Sequence, residues 1–247
     1  MDPVTRLRTS GLSSTDLVDS LTALGLDGFI GGVHSQSPPV SAFFSGSLGP
    51  QFLDASGKSK FPVVGRAFPV VFESADSEKP ADPKHYVDSI PAVSDCVAVI
   101  QAPRDGSCAA NVNAVWGGLM STRAKSLGAA GVVIDGMCRD LQEHWEQGFP
   151  VFARSHGCCG QGAFKHLGAG LKCVSIGEKC VVGDWAVEVK SGDLIVADVD
   201  GVVRVPLSEV DRVVEKGVAL KEVDSLCMQD IKGGRPVKET FKDRRGK

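Results

Sequence analysis

An alternation of apolar runs with a helical segment in the middle of the chain constrains the fold more than any other feature of the sequence. Short apolar runs lie at 96–103 (CVAVIQAP), 131–135 (GVVID) and 149–153 (FPVFA). Between the first two, residues 119–128 have the spacing of a helix and end at a glycine, the residue type that commonly closes helices. Strand, helix and strand in this order predict an α/β fold with partly parallel strand pairing.

The segments before this region predict elements of both types. The cap-forming run SSTD at 13–16 predicts the start of an N-terminal helix. Residues 30–60 are rich in Gly, Ser, Pro and Phe without periodicity, which predicts a loop that wraps the body of the protein. The run at 61–73 (FPVVGRAFPVVFE) predicts strands that break at Gly65 and Pro69, because both residue types weaken the interior of a strand.

The last third of the chain predicts a hairpin, a helix and a tail. Two β-runs within 193–206 flank an Asp-Gly dipeptide, which is typical of hairpin turns. Ser208 resembles a helix start, and valines supply the apolar face that follows it. We expect residues 1–230 to form a single domain, and the basic residues 231–247, which have little to bury, to form a flexible tail.

The composition is that of a soluble globular protein. Of 247 residues, 43% are hydrophobic and 23% are charged, and the net charge of −3 provides no basic surface for nucleic acid or an anionic membrane. No apolar run approaches the roughly 18 residues of a membrane-spanning helix. The N-terminus lacks the apolar core of a signal peptide. We therefore expect a cytoplasmic protein with no nucleic-acid or membrane partner.

The eight cysteines do not indicate a disulfide framework, because a chain of 247 residues can bury a core without covalent cross-links. The sequence contains no C-x-x-C pair. The adjacent cysteines of HGCCG, at 156–160, would be strained as a disulfide. This segment fits either a metal or thiol site or, as we favour, free thiols in a glycine-rich loop.

The stretch GVVIDGMCRDLQEH, at 131–144, concentrates charge directly after a buried strand. Arg139 stands beside Asp140, and Glu143 and His144 follow within a turn. In open α/β sheets, ligands bind beyond the carboxyl ends of strands, so this turn is a candidate site. An adjacent Arg-Asp pair is also a common solvated feature of exposed turns, and both interpretations stay open on these residues alone.

A glycine pair at the start of the predicted helix is the second candidate feature. Backbone N–H groups after Gly117 and Gly118 can hold a carboxylate or phosphate, although glycine pairs before helices are also common as simple turns. The planar guanidinium of Arg139 suits the oxygens of a 2-oxo acid. Asp140, with Glu143, suits Mg²⁺ or Mn²⁺, which prefer oxygen ligands. Together these residues predict a site for a small 2-oxo acid and a divalent cation.

The residues around this candidate site resemble those of the RraA-like family. The stretch at 115–153 (VWGGLMSTRAKSLGAAGVVIDGMCRDLQEHWEQGFPVFA) carries the resemblance, which is strongest over about 96–206 and includes 63–72 in its expected order. Its most specific part is a glycine, twenty residues, an Arg-Asp pair, two residues and a glutamate, here Gly118, Arg139, Asp140 and Glu143. The family includes 4-hydroxy-4-methyl-2-oxoglutarate aldolases that also decarboxylate oxaloacetate, and bacterial regulators of ribonuclease activity.

The resemblance implies an architecture and an assembly. The fold would be a compact α/β/β/α sandwich of the swivelling β/β/α type, with a mixed sheet and a C-terminal helix, in one RraA-like catalytic domain. The protein would assemble as a homotrimer or as a hexamer of two trimers, with active sites between neighbouring subunits.

The resemblance also implies roles for individual residues. Arg139 would bind the pyruvyl moiety, Asp140 would hold the metal, and the backbone N–H groups of Leu119 and Met120 would bind the substrate carboxylate. In the family's bacterial aldolases an acidic residue stands where this chain has a glycine. In the eukaryotic-like pattern the acid follows Arg-Asp instead, as Glu143 does here, so Glu143 is implied as a catalytic residue and metal ligand.

Two further residues have open roles. His144 occupies the place of a second acid in the eukaryotic-like pattern, so it is either a metal ligand, a proton donor or a surface residue. Asp135 ends the apolar run, and we expect it to cap the following turn rather than to contact substrate.

The implied function is that of a class II-type, metal-dependent lyase. It would cleave 4-hydroxy-4-methyl-2-oxoglutarate by a retro-aldol reaction, or decarboxylate oxaloacetate, through a pyruvate enolate. Non-catalytic regulators of the family generally lack the full Arg-Asp-and-acid set, so its presence favours catalysis. The alternatives are a regulatory RraA-like binding protein and the same chemistry redirected to a specialised metabolite. A Schiff-base aldolase is disfavoured because no lysine lies in an apolar run, and a methyltransferase because no glycine-rich fingerprint follows a strand.

Overall fold

A mixed β-sheet organises the chain in the computed structural model, which describes residues 1–38, 52–53, 59, 61–92, 95–104, 112–163, 165–167 and 170–246. The strands in this part of the chain are β1 (His34–Ser37), β2 (Val63–Ser74), β3 (Cys96–Gln101), β4 (Asn113–Trp116), β5 (Gly131–Cys138), β6 (Val151–His156), β7 (Cys159–Gly160), β8 (Leu171–Ile176), β9 (Lys179–Val182), β10 (Val187–Lys190), β11 (Leu194–Ala197) and β12 (Val202–Val205). The α-helices are α1 (Pro3–Ser10), α2 (Ser14–Leu24), α3 (Gly118–Ser126), α4 (Leu141–Gln147), α5 (Val210–Lys232) and α6 (Val237–Arg245).

Parallel strands form the centre of the sheet. Its main path has the order β1-β6-β5-β3-β2-β11-β12; off this path, β4 pairs with β5, β7 pairs with β4, and β8 pairs with β2. The neighbours β2–β3, β3–β5 and β5–β6 are parallel, whereas β1, β8, β11 and β12 pair antiparallel. The prediction of an α/β fold with a mixed sheet and a C-terminal helix is confirmed.

Apolar side chains cover both faces of the central strands, as buried parallel strands require. On one face Ile134 belongs to a cluster with Trp116 and with Ala124 of α3. On the other face Val133 and Phe152 pack with the separate hairpin formed by β9 and β10. Adjacent residues of β5 thus serve opposite layers, because strand side chains alternate. A third cluster joins α1, α2 and α5 to β11 and β12.

The strand that the sequence predicted to break is continuous. β2 passes through Gly65 and Pro69 without interruption, so both predicted breaks are wrong. A side-chain carbon on Gly65 would lie 2.3 Å from the Asp95 carbonyl oxygen, and only glycine permits that approach. On the edge of β2 that the Pro69 backbone faces, the pairing with β11 extends only to Arg66 and the pairing with β8 starts at Val70. Pro69 lies between these two pairings, so its missing N–H interrupts no ladder. Its carbonyl still accepts the Gly177 N–H (2.8 Å).

The N-terminal region confirms one prediction and corrects another. Ser13 and Asp16 form a reciprocal capping box at the start of α2, which ends at Gly25 in the left-handed conformation. Within the predicted loop at 30–60, residues His34–Ser37 instead form β1, which is antiparallel to β6. Most of that segment beyond residue 38 lies outside the described residues.

The C-terminal third has the predicted hairpin and helix, but its last residues differ from the flexible tail that we expected. β11 and β12 pair antiparallel, and α5 continues to Lys232. Residues Val237–Arg245 form α6, and basic side chains in and before this helix pair with acidic side chains of α5. These ion pairs are Arg235 and Arg244 with Asp230, and Arg245 with Asp224. No helix in the described part of the chain is both long and apolar enough to cross a membrane.

A buried carboxylate ties the hairpin to α2 and provides a test of the fold. Asp198 accepts hydrogen bonds from the backbone N–H (2.7 Å) and the hydroxyl (2.6 Å) of Ser14. Asp198→Ala would leave both donors buried without this acceptor, so we expect the free energy of unfolding to fall by about 2–3 kcal/mol in chemical denaturation. Asp200→Ala, an exposed position in the same turn, should change it by less than about 0.5 kcal/mol. Equal effects of the two substitutions would contradict this account.

Candidate active site

Two parallel strands bring the glycine pair and the charged turn together. β4 ends at Trp116 and leads through Gly117 into α3, whereas β5 ends at Cys138 and leads through Arg139 and Asp140 into α4. Trp116 and Cys138 are register partners, and the Arg139 N–H donates to the Trp116 carbonyl (3.0 Å). Because parallel strands end at the same edge of a sheet, the segments that follow them meet there.

Carboxylates lie against both glycines, in the space that a side chain at either position would enter. A side-chain carbon on Gly118 would be 1.6 Å from an oxygen of Glu143, and one on Gly117 would be 2.6 Å from an oxygen of Asp140. The Gly118 N–H donates to Asp140 Oδ2 (3.0 Å). Two carboxylates therefore converge on the N-terminus of α3, where the helix dipole and the first-turn N–H groups favour negative charge.

Asp140 has an uncommon backbone conformation. Its φ of 61° and ψ of 44° lie in the left-handed region, which Asp and Asn adopt more readily than most other non-glycine residues. Asp140 is also the N-cap residue of α4, so this conformation turns the chain from β5 into the helix. Residues in such conformations cluster at functional sites, where the surrounding structure holds them in place.

The Arg139 guanidinium adds positive charge to the same edge. Its Nε is 3.4 Å from Asp140 Oδ2, and a side-chain carbon on Gly160 would be 2.8 Å from its Nη1. The Arg139 side chain is 41% exposed. It borders a pocket of about 100 Å³ that is also lined by Tyr86, Met120 and Gln161. A larger cavity of about 690 Å³ lies at the amino ends of the parallel strands and contains none of the predicted site residues.

The two N–H groups that the resemblance assigns to carboxylate binding differ in their surroundings. The Met120 N–H donates to the Gly117 carbonyl (3.0 Å) and is therefore engaged. The Leu119 N–H belongs to the first helical turn, whose donors have no acceptor within the helix. The Leu119 side chain is 74% exposed, and the residue lines the pocket. Of the two N–H groups, that of Leu119 is the one available to a ligand.

His144 packs in the interior and does not line the pocket. Its Nδ1 is 3.0 Å from the Ser121 hydroxyl, which also accepts a hydrogen bond from Trp116 Nε1 (2.8 Å). The His144 side chain is fully buried. This burial lowers the pKa of the His144 imidazole, and the lowered pKa keeps the ring neutral near pH 7. The structure therefore uses His144 to join α4 to α3 and β4, behind the two carboxylates.

Asp135 also lies away from the pocket. Strand β5 continues past it, so it does not cap a turn as expected. Its buried carboxylate accepts hydrogen bonds from Arg154 Nε and from the Gly183 N–H (2.9 Å). These contacts tie β5 to β6 and to the β9–β10 hairpin.

Two carboxylates, those of Asp140 and Glu143, lie against the glycine pair. Among the described residues, no group of three or more His, Cys, Asp or Glu side chains is arranged to hold a metal ion. The two cysteines of the HGCCG segment, Cys158 and Cys159, are free thiols. Asp140 lines the pocket, and the Glu143 carboxylate lies beside it against Gly118.

Sequence reasoning missed three contributors to this site. Tyr86 lines the pocket, and its hydroxyl donates to the Val115 carbonyl (2.6 Å). It is the one tyrosine of the chain and directly follows a polar segment, so the sequence could have indicated it as a candidate site residue. Ser121 connects Trp116 to His144. Gly160 lies against Arg139 because β7 pairs with β4, which nothing in the local sequence indicates.

The Ser121 hydroxyl provides a test of this support. Ser121→Ala would remove the acceptor of Trp116 Nε1 and the partner of His144 Nδ1, both of them buried. We expect the free energy of unfolding to fall by about 1–3 kcal/mol in denaturation followed by tryptophan fluorescence. Ser126→Ala, on the exposed side of the same helix, should change it by less than about 0.5 kcal/mol. A Ser121→Ala variant as stable as Ser126→Ala would show that the contacts of the Ser121 hydroxyl do not stabilise the fold.

Sequence comparisons relate the chain to known proteins. A family model described as RraA-like, Aldolase/RraA, matches residues 41–204. A protein of Halalkalibacterium halodurans, provisionally named a 4-hydroxy-4-methyl-2-oxoglutarate aldolase, is 35% identical over 118 residues, which are 48% of this chain and 50% of that protein. An uncharacterized protein of Methanocaldococcus jannaschii is 34% identical over 128 residues, which are 52% of this chain and 57% of that protein. The chain thus aligns with about half the length of these curated relatives.

Solved structures share the fold. An uncharacterized protein from Pseudomonas syringae pv. tomato superposes with a TM-score of 0.70 at 24% identity over 96% of each chain. Streptomyces coelicolor RraAS2, described as an unusual member of the RNase ES inhibitor RraA protein family, has a TM-score of 0.70 at 20% identity, covering 92% of this chain and 97% of that one. At such identities the likeness concerns the fold alone.

Proposed function

The chain belongs to the RraA-like family, and we propose that it is a divalent-metal-dependent lyase that cleaves a carbon–carbon bond of a small 2-oxo acid. Its reactions would be retro-aldol cleavage of 4-hydroxy-4-methyl-2-oxoglutarate, decarboxylation of oxaloacetate, or both. One observation carries the proposal: the Glu143 carboxylate fills the space beside Gly118, next to the Asp140 carboxylate and the Arg139 guanidinium. The relative provisionally named an aldolase supports the same reaction class.

The donors at the pocket edge fit Mg²⁺ or Mn²⁺. Asp140 uses one carboxylate oxygen to accept the Gly118 N–H, which leaves its other oxygen and the Glu143 carboxylate as ligands. Mg²⁺ is commonly bound through one or two carboxylates, with water and substrate completing its coordination. A cation held there would supply a Lewis acid that stabilises negative charge on the ketone oxygen.

Arg139 and the start of α3 would bind the oxo acid. The guanidinium presents planar donors that match carboxylate and keto oxygens. The Leu119 N–H, at the positive end of the helix dipole, provides a further donor for a carboxylate. The pocket of about 100 Å³ is smaller than the roughly 300–1,000 Å³ typical of sites for drug-sized ligands. Its size therefore suits a small acid.

Arg139 would also act during bond cleavage. As the carbon–carbon bond breaks, its electron pair moves toward the ketone oxygen, where negative charge develops. Donors that are already fixed in position before the reaction stabilise such charge without reorganisation. Gly117 and Gly160 lie close enough to the Arg139 side chain to fix its position.

The homotrimer or hexamer implied by the resemblance is part of the same proposal. The exposed Leu119 side chain, at the rim of the pocket, is an apolar surface that a neighbouring subunit would cover. Light scattering after size-exclusion chromatography measures the assembly, and a monomer at micromolar concentration would contradict it.

Pyruvate release from oxaloacetate, with Mn²⁺ or Mg²⁺ present, tests the proposed activity. Oxaloacetate also decarboxylates without protein and faster with free metal, so the metal-only rate is the baseline. We expect wild-type protein to exceed this baseline and EDTA to abolish the difference. Asp140→Asn should return the rate to baseline, because Asn tolerates the left-handed backbone and can accept the Gly118 N–H but carries no negative charge.

The matched control for this experiment is Glu146→Gln. It removes a carboxylate from the exposed side of α4 and should retain wild-type turnover. Wild-type turnover in Asp140→Asn would rule out Asp140 as the metal-holding residue. No wild-type rate above baseline, for either 2-oxo acid, would favour a regulatory binding protein on the same scaffold.

A transfer of the carboxylate from position 143 to position 118 tests the role of Glu143. Gly118→Asp alone should lose activity and Mn²⁺ affinity, because its side chain would occupy the space of the Glu143 carboxylate. Gly118→Asp combined with Glu143→Ala frees that space, keeps one acid there and should recover both properties relative to Glu143→Ala. Calorimetric titration with Mn²⁺ measures the affinity. A double variant as inactive as Glu143→Ala would contradict the assignment.

A further inference from the structure

Two adjacent thiols lie beside the candidate active site. Cys158 is exposed and Cys159 is half-buried, and both are free. The two residues are neighbours in the chain, so their Cα atoms are only about 3.8 Å apart. By contrast, burial raises the pKa of Cys96, Cys138 and Cys180 to about 12, so those thiols stay protonated and unreactive. Cys158 and Cys159, here called the thiol pair, are accessible thiols that the proposed lyase chemistry does not use.

The thiol pair is anchored on both sides to the surroundings of Arg139. Before it, the Gly157 N–H donates to the Cys138 carbonyl (2.9 Å), the residue directly before Arg139. Cys159 itself pairs with Asn113 in the β4–β7 ladder. After it, Gly160 lies so close to Arg139 that a side-chain carbon there would be 2.8 Å from Nη1. The backbone on both sides of the thiol pair is thus in contact with Arg139 or with the residue before it.

The environments of the two thiols differ in a way that suits sequential oxidation. Exposure makes Cys158 the thiol that an oxidant in solution reaches first. Burial, together with the hydrogen bond and the charge of Cys158, raises the pKa of Cys159, although the nearby Arg139 lowers it. Cys159 is thus the less exposed partner, and it directly follows Cys158 in the chain.

We propose that Cys158 and Cys159 form a reversible oxidation site for peroxide, and that their oxidation displaces Gly160 and Arg139 from the pocket. In the first step the Cys158 thiolate attacks the peroxide: an S–O bond forms, the O–O bond breaks, and hydroxide leaves as water after taking up a proton. In the second step the Cys159 sulfur attacks the Cys158 sulfenic acid, so that the S–S bond forms and a second water leaves. Two thiols are oxidised to one disulfide and one hydrogen peroxide is reduced to two waters.

The geometry of neighbouring residues explains the effect on the pocket. Disulfides usually join Cα atoms about 4.4–6.8 Å apart, whereas consecutive Cα atoms are about 3.8 Å apart, so the intervening peptide must twist. That twist is incompatible with an undisturbed β4–β7 ladder. Strained and exposed disulfides are also readily reduced, which makes the modification reversible by a thiol. The expected loss of turnover on oxidation rests on the proposed function, whereas the expected disturbance of the β4–β7 ladder does not.

Peroxide treatment of the full chain tests the inference by two readouts that need no enzyme activity. Peptide mass spectrometry should find that the segment with the thiol pair loses two hydrogen atoms and regains them with dithiothreitol. Hydrogen exchange should become faster in β4 and β7 of the oxidised protein. Cys158→Ser should show neither change, whereas Cys173→Ser, at a half-buried cysteine on β8, should behave as wild type.

Turnover of oxaloacetate provides the third readout. Oxidation should lower kcat/KM by roughly tenfold, since small displacements of a binding group have effects of this order or larger, and dithiothreitol should restore it in wild type. The inference is overturned if peroxide forms no disulfide between Cys158 and Cys159, or if the disulfide forms with unchanged exchange in β4 and β7. Absence of lyase activity in untreated protein would instead contradict the proposed function, and the first two readouts would still decide the inference.

Discussion

The close approach of two carboxylates to a backbone without side chains is the constraint on which the site depends. Any side chain at Gly117 or Gly118 would overlap Asp140 or Glu143. The approach is favourable because it places negative charge at the N-terminus of a helix, where backbone N–H groups lack partners within the helix. The pocket, the Arg139 contact and the metal-holding role that we propose all follow from this packing.

The rest of the fold holds that approach in place. The parallel pairing of β4 with β5 sets the spacing between the glycine pair and the charged turn. Behind them, the contacts from Trp116 to Ser121 and from Ser121 to His144 connect the strand and the two helices that carry the site. On the far side of the sheet, Asp135 is bound by Arg154. Asp135, within β5, therefore supports the fold, whereas Asp140, beyond the end of the same strand, lines the pocket.

The elements that could be predicted from the sequence depend on local properties. Helical spacing, the Asp-Gly turn and the apolar runs identified α3, the β11–β12 hairpin and the central strands, because each pattern lies within a few residues. The continuity of β2 could not be predicted, since it depends on where β8 and β11 meet the backbone of Pro69. The interior position of His144 depends on which side of α4 faces the core, and a single short turn of sequence does not define that side. The contact between Gly160 and Arg139 arises from strand pairing over long sequence distance.

The most direct test of the central claim is the anomalous diffraction of crystals grown with Mn²⁺ and pyruvate. Our account predicts one strong anomalous peak between the carboxylate oxygens of Asp140 and Glu143, with the pyruvate carboxylate near the Leu119 N–H and Arg139. The account would be contradicted if Mn²⁺ bound elsewhere and left Asp140 and Glu143 uncoordinated, and if pyruvate occupied another surface.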